Sequence, residues 1–352
     1  MAFTTDARSI LAALGAAVFF GASTPFAKAL LGTTAPIVLA GLLYLGSGTG
    51  LWWLRLLRDR GLAPTGMARG EWPWFAGAIV SGGVLGPVLL MYGLTHTSAA
   101  DASLLLNLEA VLTALLAWIV FAENTDRRIV LGMALIVAGG ALLAWPRDRA
   151  AAHGGFLGAM AIAAACLCWA VDNNLTRKVS ASDPLFIAAA KGLVAGLVNL
   201  SVATSFGATL PGAAIVADSM LVGFVGYGVS LVLFVYALRG LGTARTGAYF
   251  ATAPFIGAAL AIGLFHEHPS GVFWPAAALM IIGLWLHLSE RHAHEHTHEP
   301  LTHSHAHRHD SHHQHEHAFA WDGREPHTHE HKHEPLTHTH IHYPDVHHRH
   351  GH

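Results

Sequence analysis

The sequence predicts an all-α membrane protein: ten transmembrane helices arranged as two inverted five-helix repeats, followed by a disordered His-rich tail. Three observations carry that expectation. The 352-residue chain is 53% hydrophobic and only 12% charged, too apolar for a soluble globular protein of average make-up. Its charges sit in short clusters between long uncharged runs of about 20 residues, the length a helix needs to cross a hydrocarbon core. Finally, the pattern of the first half returns in the second.

The ten runs fall at Ser9 to Leu30, Pro36 to Leu57, Trp72 to Gly93, Ala99 to Phe121, Ile129 to Trp145, Phe156 to Thr176, Pro184 to Thr204, Met220 to Leu238, Thr246 to Phe265 and Phe273 to Leu288. The first has no small-residue cleavage site and reads as a retained span. Short links make sequence neighbours antiparallel neighbours in space. Glycines inside the spans, such as Gly82 and Gly83, Gly139 and Gly140, and Gly192 and Gly196, fit close helix packing. Orientation follows from Lys and Arg in the links. One side collects Arg8, Arg55, Arg58, Arg60, Arg69, Arg127, Arg128, Arg177, Lys178, Arg239 and Arg245; the other has Arg147, Arg149 and Lys28. Both termini are therefore expected in the cytoplasm, in a bacterial-type inner membrane.

The repeat rests on aligned segments. Phe20-Gly-Ala-Ser-Thr-Pro-Phe-Ala-Lys28 lines up with Trp169-Ala-Val-Asp-Asn-Asn-Leu-Thr-Arg177, each an aromatic-led helix end closing in polar residues and a cation. Tyr92-Gly-Leu94 matches Tyr236-Ala-Leu238, and Phe121-Ala-Glu123 matches Phe265-His-Glu267, both at an offset of 144. Five spans per unit is an odd number, so the copies insert in opposite orientations, the inverted-repeat plan of secondary transporters. The expected units are residues 1–145, 146–290 and a tail at 291–352.

This order of features resembles the EamA-type transporters of the drug/metabolite transporter superfamily. The features are the 5+5 repeat, the fourth and ninth spans ending in an aromatic, a small or polar residue and Glu, and the Ala-Pro254-Phe segment. The resemblance implies a ten-helix bundle with a central cavity that moves small metabolites by alternating access. One departure stands out: where the ninth span has Pro254, the fourth has Leu108-Glu109-Ala110.

Charges inside a span tend to face a cavity or a partner. Glu109, with Asn107 close by, lies near the midpoint of the fourth span, at the depth where inverted-repeat transporters bind cargo. Packing against a neighbouring helix is the bland alternative. Asp172 and Lys191 lie at similar depths in the sixth and seventh spans and can pair, as a fixed structural couple or as part of a gate. Asn173 and Asn174 extend that patch. Ser23 and Thr24 do so in the other repeat, where Pro25 is expected to open the helix. Asp101 and Arg245, at the starts of the fourth and ninth spans, read as interfacial or capping residues. Cys166 and Cys168, two apart on a helix, project about 200° from one another and suit packing, not one shared ion. His96, His266 and His268 form a weak candidate set for metal.

The tail differs in kind. From His292 to His352, 23 of the 28 histidines fall within 61 residues, commonly as His-x-His. The segment His294 to His307 returns as His329 to His342. Few large apolar residues interrupt it, so it cannot bury a core and no fixed structure is expected without a ligand. Neutral imidazole suits Zn²⁺, Ni²⁺ and Co²⁺, with Glu and Asp completing a shell. The ligand candidates are His294, His296, His298, His303, His305, His307, His329, His331, His333, His338, His340 and His342. Several weak, exchanging sites are expected from so many overlapping sets.

A net charge of −2 and no interleaving of basic with aromatic residues argue against nucleic acid as a partner. The membrane portion offers no nucleophile with its base and no phosphate-cradling loop, so no enzyme is expected. The expected function is a secondary transporter of a small molecule or a metal ion, whose tail binds metal as cargo or regulator. Its partners are the cargo, the lipid bilayer and, as an option, a second copy in a homodimer. The alternatives are a membrane-anchored metal buffer or sensor, and an exporter of an amino-acid-like metabolite with the tail incidental.

Overall fold

The computed structural model describes residues 2–61, 64–121, 127–145, 152–179 and 182–288, and backbone strands at 292–297, 302–307, 327–332 and 337–342. Among these residues, nine helices are long and apolar enough to cross a membrane. They are α1 (Ala7–Leu30), α2 (Pro36–Asp59), α3 (Arg69–His96), α4 (Ala99–Ile119), α5 (Arg127–Ala144), α6 (Gly155–Val179), α7 (Pro184–Ser205), α8 (Ala213–Leu238) and α9 (Arg245–Leu264). A shorter apolar helix, α10 (Phe273–Leu286), follows. With its last turn α10 has 16 residues, a rise of about 24 Å against the roughly 30 Å of a hydrocarbon core. Large apolar side chains such as Trp53, Leu57, Ile119, Trp145 and Trp285 stand exposed, which fits lipid and not water as the solvent. The chain is a multi-pass membrane protein.

Four irregularities interrupt helices that the sequence reading takes as continuous. α3 passes through a π-helical segment at Ile79–Leu85, and α8 through another at Phe224–Val229. Such bulges free backbone carbonyls for other donors and concentrate at functional sites. Two glycines in each, Gly82 with Gly83 and Gly226 with Gly228, are buried against neighbouring helices. α4 breaks between Leu105 and Leu108, and α9 between Phe250 and Ala253, where Pro254 sits in the first turn of the new segment. Each irregularity in the first half thus has a counterpart five spans later. The spans α8 and α9 end and begin close to the expected Leu238 and Thr246, and the helix Ser230–Phe250 makes their link helical. One expectation is corrected. Pro25 does not open α1, which stays helical through Leu30 because its neighbours' packing outweighs one lost backbone donor.

Packing pairs helices from different halves. α2 lies along α7 and α5 along α10; α1 crosses α8 and α9, while α6 crosses α3 and α4, and α4 meets α9. Exchanging every helix with the one five places along returns the same set of pairs. Backbones meet closely between α2 and α7, where a methyl added to Gly192 would lie 2.7 Å from the Gly48 Cα. Only glycine permits that backbone contact, the general route to tight association when lipid supplies no hydrophobic drive.

Within the tail, four backbone segments are described as strands. β1 (His292–Thr297) pairs antiparallel with β4 (Thr337–His342), and β2 (Thr302–His307) with β3 (His327–Lys332). His-x-His is a period-2 pattern, which a strand sorts onto one face without needing a core. His298 and His333 lie outside the described residues.

Candidate substrate site

The site is assembled on α3, α4, α6 and α7. Lys191 of α7 donates to both oxygens of Asp172 on α6, each at 2.7 Å, and Thr176, one turn further on, donates to Oδ1 at 2.9 Å. Asp172 is 6% exposed, so the carboxylate has exchanged water for an ammonium and a hydroxyl. The pairing expected from equal depth in the two spans is present. What seats it lies on α3: any side chain at Gly82 would collide with the Asp172 carboxylate, and a methyl at Gly83 would meet Lys191 Cγ at 3.3 Å. The π segment adds a second role. The Gly82 carbonyl accepts from Tyr44 Oη of α2 and from Trp169 Nε1 of α6, each at 2.9 Å. One backbone position therefore gathers three helices around the ion pair.

Next along α6, Asn173 donates through Nδ2 to Glu109 Oε1 at 2.9 Å and to Thr113 Oγ1 at 3.3 Å. Asn174 donates to the Ala170 carbonyl at 2.8 Å. Glu109 opens the second segment of α4, one residue after its break. Whereas Asp172 has a cation in contact, Glu109 is met by a neutral amide, and the two acids stand on one polar face shared by α4, α6 and α7. Tyr44 and Tyr227 come together nearby with ring centroids 5.7 Å apart.

Other candidates are not gathered there. Asn107 donates to the Leu104 carbonyl at 2.8 Å and faces Met280 of α10, closing the α4 break instead of joining Glu109. Ser23 donates to the Phe20 carbonyl at 2.6 Å, within its own helix. The Cys166 thiol points to the Leu105 carbonyl at 3.8 Å, while the Cys168 carbonyl accepts from Ser81. Among the described residues no group of three or more His, Cys, Asp or Glu side chains is placed to hold a metal, and His96 instead packs edge-on against Tyr92. The metal candidates of the tail are placed by their backbone alone. A cleft of about 340 Å³ between α1 and α8, lined by Phe26, Ala29, Leu30, Asp218, Leu221 and Val222, shares no residue with the polar face.

Each end of the bundle carries a clasp. At one, Asp183 caps the start of α7 and binds α2 through Arg55 Nε at 3.0 Å and Arg58 Nη2 at 2.6 Å. Arg55 is 2% exposed and lies over Phe186 at 5.3 Å from the ring centre. Burial alone would raise the Asp183 carboxyl, but hydrogen bonds from Arg58 and Arg55 outweigh it and hold the group below the ordinary carboxylate value. At the other end, Glu267 accepts from the Ala99 and Ala100 amides at 2.9 and 2.8 Å, and Ser98 Oγ accepts from the Asp101 amide at 3.0 Å. Those are the unsatisfied donors of the α4 N-terminus, where a carboxylate also meets the helix dipole. Lys28 donates to the Leu94 and Thr97 carbonyls beside it. The sequence reading took Arg55 and Arg58 only as orientation signals and missed Asp183. A carboxylate just before Pro184 at the start of an apolar run is an N-cap signal that could have found it.

Comparison with known proteins bears on the whole bundle. The model of the EamA-like transporter family matches residues 7–145 and again 156–289. An uncharacterized transporter of Methanothermobacter thermautotrophicus is 26% identical over 290 residues, covering 77% of this chain and 83% of that protein. A probable 4-amino-4-deoxy-L-arabinose-phosphoundecaprenol flippase subunit ArnE of Pseudomonas paraeruginosa is 38% identical over 113 residues, 31% of this chain and 96% of the subunit. One solved crystal structure, 20% identical, superposes with a TM-score of 0.58 over 79% of this chain and 94% of its own, a likeness of fold alone.

Proposed function

The chain belongs to the EamA-like transporter family, and from that premise we propose that it is an alternating-access carrier of a small organic solute bearing a basic amine. The ten helices act as two inverted five-helix repeats, with both termini in the cytoplasm, in a bacterial-type inner membrane. The helix pairs, unchanged on exchanging each helix with the one five places along, and the matched irregularities support the repeat; the Lys and Arg bias of the links supports the orientation.

One observation carries the choice of solute. The polar face holds an acid already paired with a cation, Asp172 with Lys191, beside an acid bound by a neutral amide, Glu109 with Asn173. An incoming ammonium finds in Glu109 a carboxylate within reach, while Lys191 repels a bare divalent ion and suits the anionic group of a zwitterion. Tyr44, Trp169 and Tyr227 add aromatic surface for a cation or a ring. The flippase relative is named for an amino sugar, and an amine is the chemistry shared with this reading. The tail binds Zn²⁺, Ni²⁺ or Co²⁺ and regulates the carrier; it supplies no cargo path.

The test is uptake by proteoliposomes loaded with the purified chain, screened with radiolabelled amines, zwitterionic amino acids, amino sugars and, in parallel, ⁶⁵Zn²⁺. Uptake of an amine-bearing solute, lowered roughly 10- to 100-fold in Glu109→Gln, matches the loss of one charge-assisted hydrogen bond. Movement of zinc with no amine moved sinks the proposal.

A further inference from the structure

The two tail ladders share one alignment. The step from His292 to His307 along the first copy of the duplicated segment is matched by the step from His342 back to His327 along the second. Each copy therefore pairs with the other, not with itself: β1 of the first lies on β4 of the second, and β2 on β3. A local hairpin of β1 with β2 would have needed a far shorter loop, so the observed pairing is not the entropically cheapest one.

In this register every histidine stands opposite a histidine. His292 faces His342, His294 faces His340 and His296 faces His338; in the second ladder His303 faces His331, His305 faces His329 and His307 faces His327. Residues two apart on a strand share a face, so each ladder has six histidine positions on one face. The acidic positions fall on the other, since Glu295 is opposite Thr339 and Glu330 opposite Ser304. On a strand pair, opposed positions lie about 5 Å apart and the next couple about 7 Å along, so two neighbouring couples gather four histidine positions in one short stretch of one face. The donor set is nitrogen only, which suits Zn²⁺, Ni²⁺ and Co²⁺ and excludes Ca²⁺ and Mg²⁺.

We propose that the cross-copy register builds two defined four-histidine sites, one per ladder, each closed by a borderline divalent metal that clamps the two copies of the duplicated segment together. This rests on the reading that the tail binds metal, and replaces several weak, exchanging sites with two that neither copy can form alone. An isolated two-stranded ribbon is marginal in water. The metal supplies the missing cross-link, so binding and strand formation occur together.

The test is zinc titration of the full-length protein in detergent, with a competing chelator to resolve the tight class, and backbone hydrogen exchange over 292–307 and 327–342. The wild type should hold about two tight ions per chain, with both segments protected together on metal addition. His294→Ala with His340→Ala removes one couple and should leave about one tight ion; His294→Ala with His305→Ala strikes both ladders and should leave none. Replacing all six histidines of β3 and β4 by alanine should also leave none. An unchanged thermal transition of the membrane bundle shows that the variants fold. If that six-alanine chain keeps one tight ion, the copies bind separately and the proposal fails. If the wild type binds many ions with no tight class, the defined sites fail while tail binding stands. If it binds none, the underlying reading of the tail fails as well.

Discussion

At the scale of single residues, the ion pair of Asp172 and Lys191 gives a sharp expectation. Removing one partner of a buried pair strands the other charge, at a cost of roughly 3 to 5 kcal/mol. Lys191→Ala should therefore lower the thermal stability of the purified protein well below that of Asp172→Asn with Lys191→Gln, which leaves no charge behind. Equal losses in the two variants, measured by thermal unfolding in detergent, would show that the pair is not desolvated. Asp183 gives a pH dependence whose sign follows from its lowered carboxyl. The clasp is complete above the unfolded-state value of about 4 and is lost as pH falls through the lower folded-state value. Wild type should thus exceed Asp183→Asn by about 1 to 3 kcal/mol at neutral pH, and unfolding curves taken over a pH series should converge in acid. A gap that widened on acidification would reverse the assignment.

Among helices, the informative positions are those where backbone meets backbone or side chain. Gly82 interrupts α3 in a π segment, and its missing side chain is what admits the Asp172 carboxylate. Gly82→Ala should leave the bundle folded, since the π segment keeps its own hydrogen bonds, yet cut transport at least tenfold by displacing the ion pair; a folded variant with full transport would reduce Gly82 to packing. This role was not legible in the sequence. A π turn leaves no mark in a 3.6-residue pattern, and a glycine in an apolar run reads as ordinary helix packing. The Asp172–Lys191 contact was legible because both lie about one to two turns from a shared link, so helical rise alone sets their depth. Glu109 was legible as a buried charge, but its partner Asn173, 64 positions away, was not. Proximity in sequence suggested that Asn107 stands with Glu109, and the break in α4 turns its side chain towards α10.

Across the whole molecule, the two clasps tie the same halves together at opposite ends. Asp183 with Arg55 and Arg58 joins the start of α7 to the end of α2, and Glu267 joins the end of α9 to the start of α4. Each couples an element of the first half with one of the second. The match of Phe265-His-Glu267 to Phe121-Ala-Glu123 draws notice to Glu267 in the sequence, but the use to which it is put was not legible, since its amide partners lie 168 and 167 residues away. Under the proposed alternating access, opening one end at a time releases one clasp while the other holds. Glu267→Gln weakens two charge-assisted hydrogen bonds worth about 1.5 to 3 kcal/mol each, so it should speed amide exchange in the first turn of α4 at least tenfold. Exchange in the first turn of α7 should stay as in the wild type. Asp183→Asn should do the reverse, and solute uptake in either variant should become faster in one half of the cycle and slower in the other. Hydrogen exchange resolved by mass spectrometry reads both ends in one experiment. If either variant loosened both ends equally, the clasps would be general supports of the fold, and the alternation would have to reside in the π segments of α3 and α8 instead.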